Sequence, residues 1–314
     1  ARRIYLRQDY LHNILIEDNV LPHAVNAWKI ETRREGAEAY DEYDGVIDLP
    51  LDYSTRVFSA SQLTALGQCA FKWFANKVLR IQELEEAEEE LSALLKGNLY
   101  HRSLELALSN VKDLTQITAN LEAAFLQAEI DSQLPVLSAW EARRSEHLKV
   151  LNRACNQPDF YQQGTEILQL ETEFTEQWNG LNVTGRIDRI DRTPQGLVLL
   201  DYKSGSSLPP GIKDEVGKAN VDIQMSLYMD IASSLFPGET VSDAYYYSVT
   251  KGKKISRKQP KPETLQTAAE KIKKHLEQGY YPVEPDVDQK SCNYCPYDLV
   301  CRKGSRQSRK GGAI

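Results

Sequence analysis

Long apolar runs are absent from this chain of 314 residues. No stretch approaches the roughly 18 consecutive apolar residues that a transmembrane helix needs. The first residues also lack the apolar core of a secretory signal. A hydrophobic content of 41% and a charged content of 26% are typical of a soluble globular protein. We therefore predict a cytoplasmic protein with no membrane partner.

Cysteine is scarce, with five residues in the whole chain. A disulfide framework is improbable in a long chain with so few cysteines and no secretory signal. Cys292, Cys295 and Cys301 form a C-x2-C-x5-C pattern, and Cys69 lies far upstream, which favours a four-thiolate metal site. Zinc and a [4Fe–4S] cluster both accept four thiolates, although zinc sites usually offer two close pairs. Cys155 is predicted to be a small buried side chain.

Positive charge is also in deficit, because the net charge is −7. Such a balance at first argues against a nucleic-acid partner. However, acid is concentrated at residues 83–90, and basic residues are concentrated at 251–258 and 302–310. These basic segments could line a groove for a phosphate backbone, or they could be a solvated loop and tail. No Walker A pattern occurs, so any motor that works with this protein lies outside this sequence.

Two neighbouring segments carry the most informative pattern. Residues 185–191 read Gly-Arg-Ile-Asp-Arg-Ile-Asp, and residues 201–205 read Asp-Tyr-Lys-Ser-Gly after an apolar run. Side chains alternate along a strand, so Asp201 and Lys203 project to the same side. Two acids and a lysine that converge at a strand end can bind a divalent metal and orient a water for hydrolysis. An ordinary surface ion pair is the alternative interpretation.

Two helical patterns accompany these strands. Gly97, His101 and Glu105 follow one another at intervals of four, and so do Gln224 and Tyr228. Residues four apart share a helix face, so each set could be a structural pair. Glu105 could also orient His101 or stabilise the helix.

The four motifs together resemble those of the PD-(D/E)XK nuclease superfamily, in the branch of RecB-type, AddB-type and CRISPR-associated exonucleases. That branch typically shows a G-x3-H-x3-E helix, a GRxDRxD strand, a D-[FY]-K-[ST]-G strand and a Q-x3-Y helix, in this order. The resemblance implies an α/β fold, with a mixed sheet flanked by helices and an N-terminal helical region. It also implies an iron–sulphur staple that joins the N- and C-terminal parts.

The resemblance further implies a set of catalytic and metal-binding residues. A Mg²⁺ or Mn²⁺ ion would be held by the side chains of His101, Asp188 and Asp201 and by the carbonyl of Tyr202. Lys203 would orient the attacking water and offset charge in the transition state, while Gln224 and Tyr228 would position the phosphate or the lysine.

Several neighbours are candidates for supporting roles. Arg186 could contact phosphate or brace Asp191. Glu171 or Glu173, on the strand before Asp188, could join the outer metal shell.

Of zinc and a [4Fe–4S] cluster, the resemblance favours the cluster. AddB-type nucleases carry one cysteine before the nuclease core and a C-x2-C-x5-C triplet after it. The matching positions are Cys69, Cys292, Cys295 and Cys301. One departure is that Cys69 is followed by Ala70, where the family often has proline. The cluster would have a structural role.

The resemblance, together with the periodicity of the apolar residues, implies the following organisation. A connector covers residues 1–55, and a RecB/AddB-type nuclease domain covers 56–314. Within that domain we expect a helical part at about 56–165, a catalytic α/β core at about 166–290 and a cysteine-rich tail at 291–314. One helix is predicted from Ser59 or Ser61 to Val78, and another at about 219–235.

The favoured function is a metal-dependent exonuclease on single-stranded DNA or single-stranded DNA ends, with 5′→3′ polarity. It would act in double-strand-break end processing and recombinational repair with a helicase subunit or domain. One alternative is a CRISPR-type or phage-defence nuclease. Another is a degenerate nuclease that clamps DNA ends, but a clamp would not need His101, Asp188, Asp201 and Lys203 together.

Overall fold

The computed structural model describes residues 22–36, 41–82, 91–109, 111, 113–134, 139–162, 164–293 and 295–301. The chain divides into two compact units. The first unit comprises the residues up to Asp52, Ala65–Gln82 and the residues from Lys271 onward. The second unit comprises Tyr53–Thr64 and Glu83–Glu270.

Helices and strands follow in a mixed order. The helices are α1 (Pro22–Glu35), α2 (Ala60–Gln68), α3 (Ala70–Lys77), α4 (Ala93–Leu108), α5 (Leu114–Asp131), α6 (Trp140–Cys155), α7 (Ile223–Leu235), α8 (Pro262–Glu277) and α9 (Asp298–Cys301). The strands are β1 (Val57–Ser59), β2 (Glu166–Trp178), β3 (Leu181–Thr193), β4 (Gly196–Lys203), β5 (Ile212–Lys213), β6 (Ala219–Val221), β7 (Val241–Ser248) and β8 (Lys253–Ile255). Short 3-10 turns cover Glu42–Asp44, Tyr53–Thr55 and Lys290–Cys292.

A mixed sheet forms the centre of the second unit. Its strand order is β1-β3-β4-β7-β8, and β2 also pairs with β3. The β2–β3 hairpin turns at Asn179-Gly180, where both residues have positive φ, as a tight two-residue hairpin turn requires. Strand β4 runs antiparallel to β3 and parallel to β7, so it is enclosed on both edges.

The two faces of β4 have different neighbours. Leu200 and Tyr202 belong to an apolar core that they share with α4, α5 and α6. Asp201 and Lys203 point to the opposite face, because side chains alternate along a strand. Helix α7 lies on that second face, since its Gln224 contacts Asp201. The sheet is therefore flanked by helices on both faces, as predicted.

The first unit has a small aromatic core of its own. The ring of Tyr281 stacks on Trp73 and Phe74 of α3, with centroid distances of 6.0 and 4.9 Å. Trp73 and Tyr281 are almost completely buried. Such rings bury a large apolar area, which stabilises this unit.

Two predicted helices differ from the observed ones. The helix expected up to Val78 breaks at Cys69, which is extended, because the N–H of Phe71 bonds to the carbonyl of Pro282 at 3.2 Å instead of continuing the helix. The helix expected from about 219 begins at Ile223. Residues 219–221 form β6 there, and Asp222 caps the helix.

The charged segments are only partly visible. The acid run at 83–90 and the basic residues at 302–310 lie outside the described residues. Lys254, in the basic segment at 251–258, contacts the carboxylate of Asp243. Among the helices of the described residues, none is long and apolar enough to cross a membrane.

Candidate metal and catalytic site

The predicted site residues converge within the second unit at one end of the sheet. Asp188 lies in β3, and Asp201 and Lys203 lie at the end of β4. His101, in α4, reaches them from the helical side, with its Nδ1 3.4 Å from Asp188 Oδ2. These four side chains therefore lie close together, although about a hundred residues separate the first from the last in the sequence.

Asp188 is held by the backbone of the neighbouring strand. Its Oδ2 accepts a hydrogen bond from the N–H of Tyr202 at 2.6 Å, and the residue is only 5% exposed. The carbonyl of the same Tyr202 lies 3.0 Å from His101 Nε2. If Nε2 carries the proton and donates to that carbonyl, Nδ1 is the nitrogen that faces the acids. The predicted carbonyl ligand and the predicted histidine ligand are thus neighbours.

Glu171 completes the group. Its Oε1 lies 3.6 Å from His101 Nδ1, and its Oε2 lies 2.7 Å from Arg186 Nε. It has a φ of +48° in the middle of β2, a conformation that L-residues rarely adopt and that costs on the order of 1–3 kcal/mol. Of the two glutamates considered from the sequence, Glu171 faces the site. Glu173 is solvent-exposed and lies opposite Arg186 in the strand pairing.

The arrangement around Asp201 is a chain of short polar contacts. Its Oδ2 lies 2.5 Å from Lys203 Nζ, and its Oδ1 accepts a hydrogen bond from Gln224 Nε2 at 2.5 Å. Gln224 Nε2 also donates to the hydroxyl of Tyr228 at 3.1 Å. In the predicted Q-x3-Y helix, Gln224 therefore contacts Asp201 directly, and Tyr228 is connected to it through Gln224.

The protonation equilibria reflect a crowded group of buried acids. Burial raises the pKa of Asp201 to about 6, and the charge of Asp188 adds to that effect, while Lys203 opposes it. For His101, burial opposes the imidazolium, but Asp188 and Glu171 outweigh burial and raise its pKa to about 10. The pKa of Lys203 is also raised, because Asp201 outweighs the burial that would lower it. The site thus favours positive charge at its centre.

The donor set fits a divalent cation. One ligand atom each from His101, Glu171 and Asp188 lies within 4.8 Å of the others, and this is the only such group of metal-binding side chains among the described residues. Both oxygens of Glu171 are buried without a well-directed hydrogen bond. A buried carboxylate is costly unless cations compensate it, so a metal ion would add to the compensation that Arg186 and His101 give Glu171. Oxygen-rich ligation with one imidazole suits Mg²⁺ or Mn²⁺.

One of the supporting roles expected from the sequence differs in the structure. Arg186 pairs with Glu171, so the alternative in which it braces Asp191 is wrong. Glu105 accepts a hydrogen bond from Arg102 of the same helix at 2.8 Å, which agrees with the alternative that it stabilises the helix.

Asp191 is held instead by Arg189, which sequence reasoning did not assign. The Arg189 guanidinium is completely buried, donates twice to Asp191 at 2.7 and 2.6 Å, and donates to the carbonyl of Phe160 at 2.9 Å. It also lies over the rings of Phe160 and Tyr161. The R-x-D spacing on one strand face was the available signal. This pair stabilises the strand next to Asp188.

The cysteines separate into two environments. Cys69, Cys292, Cys295 and Cys301 line one small cavity of about 20 Å³ in the first unit. Within the described residues, no three of their sulfurs form a group with the spacing found for His101, Glu171 and Asp188. Cys155 is completely buried in the second unit, as predicted, and burial raises its pKa to about 12.

The fold is that of a known superfamily of nucleases. A family model of the PD-(D/E)XK nuclease superfamily matches residues 57–302. The chain belongs to this superfamily, whose nucleases use divalent metals. The predicted α/β class, with its mixed sheet flanked by helices, is confirmed.

Comparisons with individual proteins add less. One similar solved structure, from Eubacterium rectale, is described as a "putative exonuclease"; the identity is 16% and the TM-score is 0.40, and the similarity covers 79% of this chain and 90% of that chain. No curated protein matches the sequence.

Proposed function

We propose that this protein is a metal-dependent DNA exonuclease that hydrolyses phosphodiester bonds in single-stranded DNA. The observation that carries the proposal is the convergence of His101, Glu171 and Asp188 beside Asp201 and Lys203. Superfamily membership supports nucleolytic chemistry, and this arrangement supplies each group that the chemistry needs.

Each residue has a distinct task in this proposal. His101, Glu171 and Asp188 would hold Mg²⁺ or Mn²⁺, which lowers the pKa of a bound water and polarises the phosphate when it is present. The Tyr202 carbonyl lies at Nε2, on the other side of the imidazole, and would orient the ring. His101 must release its proton before its Nδ1 can be a ligand, so metal binding should release protons. Asp201 lies beside this group and is the further acidic ligand implied by the resemblance.

Lys203 supplies a cationic group at hydrogen-bonding distance from Asp201. Its ammonium group, held 2.5 Å from Asp201 Oδ2, can orient the attacking water and offset charge on the phosphorane-like transition state. Gln224 fixes Asp201 from the other oxygen, and Tyr228 fixes Gln224. The loss of one such electrostatic stabiliser typically costs about 3–4 kcal/mol, or a factor of about 10² to 10³ in rate.

Finer features rest on the resemblance to RecB-type and AddB-type nucleases. We propose 5′→3′ polarity and a role in double-strand-break end processing with a helicase partner. Any such motor lies outside this sequence, on another chain or on another part of a longer chain, because the sequence has no Walker A pattern.

For the cysteine cavity we propose a structural [4Fe–4S] cluster held by Cys69, Cys292, Cys295 and Cys301. It would close a loop of more than two hundred residues. Anaerobic purification should give brown protein with about four irons and four sulfides per chain. Colourless protein that contains one zinc would refute the cluster and favour the alternative metal.

The proposed activity is tested with single-stranded DNA labelled at the 5′ or 3′ end, in the presence of Mg²⁺, Mn²⁺ or EDTA. We expect metal-dependent cleavage that Lys203→Ala reduces by at least 10² and Lys149→Ala, at an exposed position of α6, leaves intact. The order in which labelled products appear gives the polarity. DNA-end binding without cleavage by the wild-type protein would favour the clamp instead.

A further inference from the structure

We propose that Asp222 and Tyr246 form a positioning pair that fixes the ammonium group of Lys203 beside Asp201. This inference rests on the proposed function, in which Lys203 is catalytic. Neither residue belongs to the four sequence motifs.

Tyr246 provides the surface on which Lys203 rests. It is the direct partner of Asp201 in the parallel pairing of β4 and β7, so its ring projects to the same face as Asp201 and Lys203. Lys203 Nζ lies 5.1 Å from the centre of the Tyr246 ring. A cation at this distance from an aromatic face is attracted to it, most strongly where water is excluded. Tyr246 is only 1% exposed, so its ring is shielded from water.

Asp222 fixes the orientation of that ring. Its Oδ1 accepts a hydrogen bond from the Tyr246 hydroxyl at 2.9 Å, and the carboxylate is 5% exposed. A buried phenol needs such a partner, and bonds to a charged acceptor are among the stronger ones. The Arg257 guanidinium, 4.0 Å from Asp222 Oδ2, compensates the negative charge.

The same carboxylate also organises the opposite side of the site. Asp222 is the N-cap of α7, and its Oδ1 accepts the N–H of Met225 at 3.1 Å. Two positions after the cap, Gln224 contacts Asp201. One carboxylate therefore connects the support of Lys203 with the helix that holds Asp201.

The experiment separates the anchor from the cap. Asp222→Ser keeps an N-cap of comparable strength but is too short to reach the Tyr246 hydroxyl. Tyr246→Phe keeps the ring and loses the hydroxyl. We expect each change alone to lower kcat about fivefold at an unchanged KM for DNA, and the double variant to lose no more than either single one. Loss of the ring in Tyr246→Leu should lower kcat further, at least tenfold below the wild type, whereas Tyr246→Phe keeps the ring and should stay at the fivefold loss.

Matched controls exist on the same elements. Tyr245 lies under Lys254, with 4.4 Å between the ring centre and Nζ, and projects to the other face of β7. Tyr245→Leu therefore removes an equivalent ring without touching the site. Asp113→Ser changes the N-cap of α5 in the same way as Asp222→Ser changes that of α7. Both controls should keep kcat within twofold of the wild type.

A second readout does not depend on cleavage. The reactivity of Lys203 towards an amine-acylating reagent, followed by peptide mass spectrometry with Lys149 as internal reference, reports how firmly the ammonium group is held. We expect Tyr246→Leu to raise Lys203 labelling at least threefold and Tyr245→Leu to leave it unchanged. The proposed pair would be refuted if Lys203 labelling did not change in Tyr246→Leu. It would also be refuted if the kcat losses of Asp222→Ser and Tyr246→Phe multiplied in the double variant. A wild-type protein that cleaves no DNA but shows the labelling contrast would refute the nuclease and keep the pair.

Discussion

Gly185→Ala tests how closely the site depends on the packing beneath it. Gly185 opens the motif on β3, and a Cβ added there would lie 2.6 Å from Cζ of Phe174. Ordinary contacts begin at 3.4 Å, so the ring must move by about 0.8 Å. Phe174 is buried and meets the ring of Tyr228 edge-on, with a centroid distance of 5.8 Å. The displacement should therefore reach Tyr228.

The expected magnitude has two parts. Overpacking a well-filled core costs about 1–3 kcal/mol of unfolding free energy. Tyr228 accepts a hydrogen bond from Gln224, which holds Asp201, so a shift approaching 1 Å is passed to an acid of the site. A misplacement of about 1 Å can cost on the order of a hundredfold in rate, so we expect kcat to fall by roughly ten- to a hundredfold.

Urea unfolding and single-strand cleavage measure the two parts separately. Phe174→Leu in the Gly185→Ala background should relieve the overlap and recover part of both losses, with a coupling of about 0.5–3 kcal/mol. Gly97→Ala is the control, because a Cβ there meets nothing within 4 Å and should stabilise α4 by up to about 1 kcal/mol. If the effects of Gly185→Ala and Phe174→Leu simply add, then contact with the Phe174 ring is not the reason that position 185 needs a glycine.

Two further predictions concern stability, measured by urea unfolding. Burial alone would raise the pKa of Asp286, but hydrogen bonds from Ser291 and its neighbours outweigh it and lower the pKa. Asp286→Ala should therefore lower the free energy of unfolding by about 1–3 kcal/mol at pH 7. This difference from the wild type should shrink as the pH falls below about 4, where the carboxylate becomes protonated. An equal loss in the exposed control Asp288→Ala would contradict this explanation. Arg189→Met should cost about 3–5 kcal/mol because it leaves Asp191 buried and unpaired, and a loss below 1 kcal/mol would show that Asp191 finds another partner.

Much of the catalytic core could be predicted from local sequence. Strand alternation places Asp201 and Lys203 on one face, and helical spacing places Gln224 and Tyr228 on another. These patterns depend only on backbone periodicity, which a sequence displays directly. Their catalytic roles stay predictions until they are measured.

The remaining features depend on contacts between distant segments. The sequence could not show which of Glu171 and Glu173 faces the site, because regular alternation along a strand places both on the same face. The positive φ of Glu171 has no sequence signal. The break at Cys69 follows from the carbonyl of Pro282, more than two hundred residues away. Nothing in the sequence distinguishes Tyr246 from other strand tyrosines, because its position under Lys203 depends on the pairing of β4 with β7.

The first unit is built from three separate chain segments, and this has a consequence during synthesis. Its early segments, up to Asp52 and Ala65–Gln82, must wait for residues beyond Lys271 before Tyr281 can stack on Trp73 and Phe74. Closing such long loops is slow, and a chain emerges from the ribosome over many seconds. We expect the aromatic faces of α3 to stay uncovered for most of that time, so a ribosome-stalled chain that ends near residue 270 should engage chaperones more strongly than the full chain.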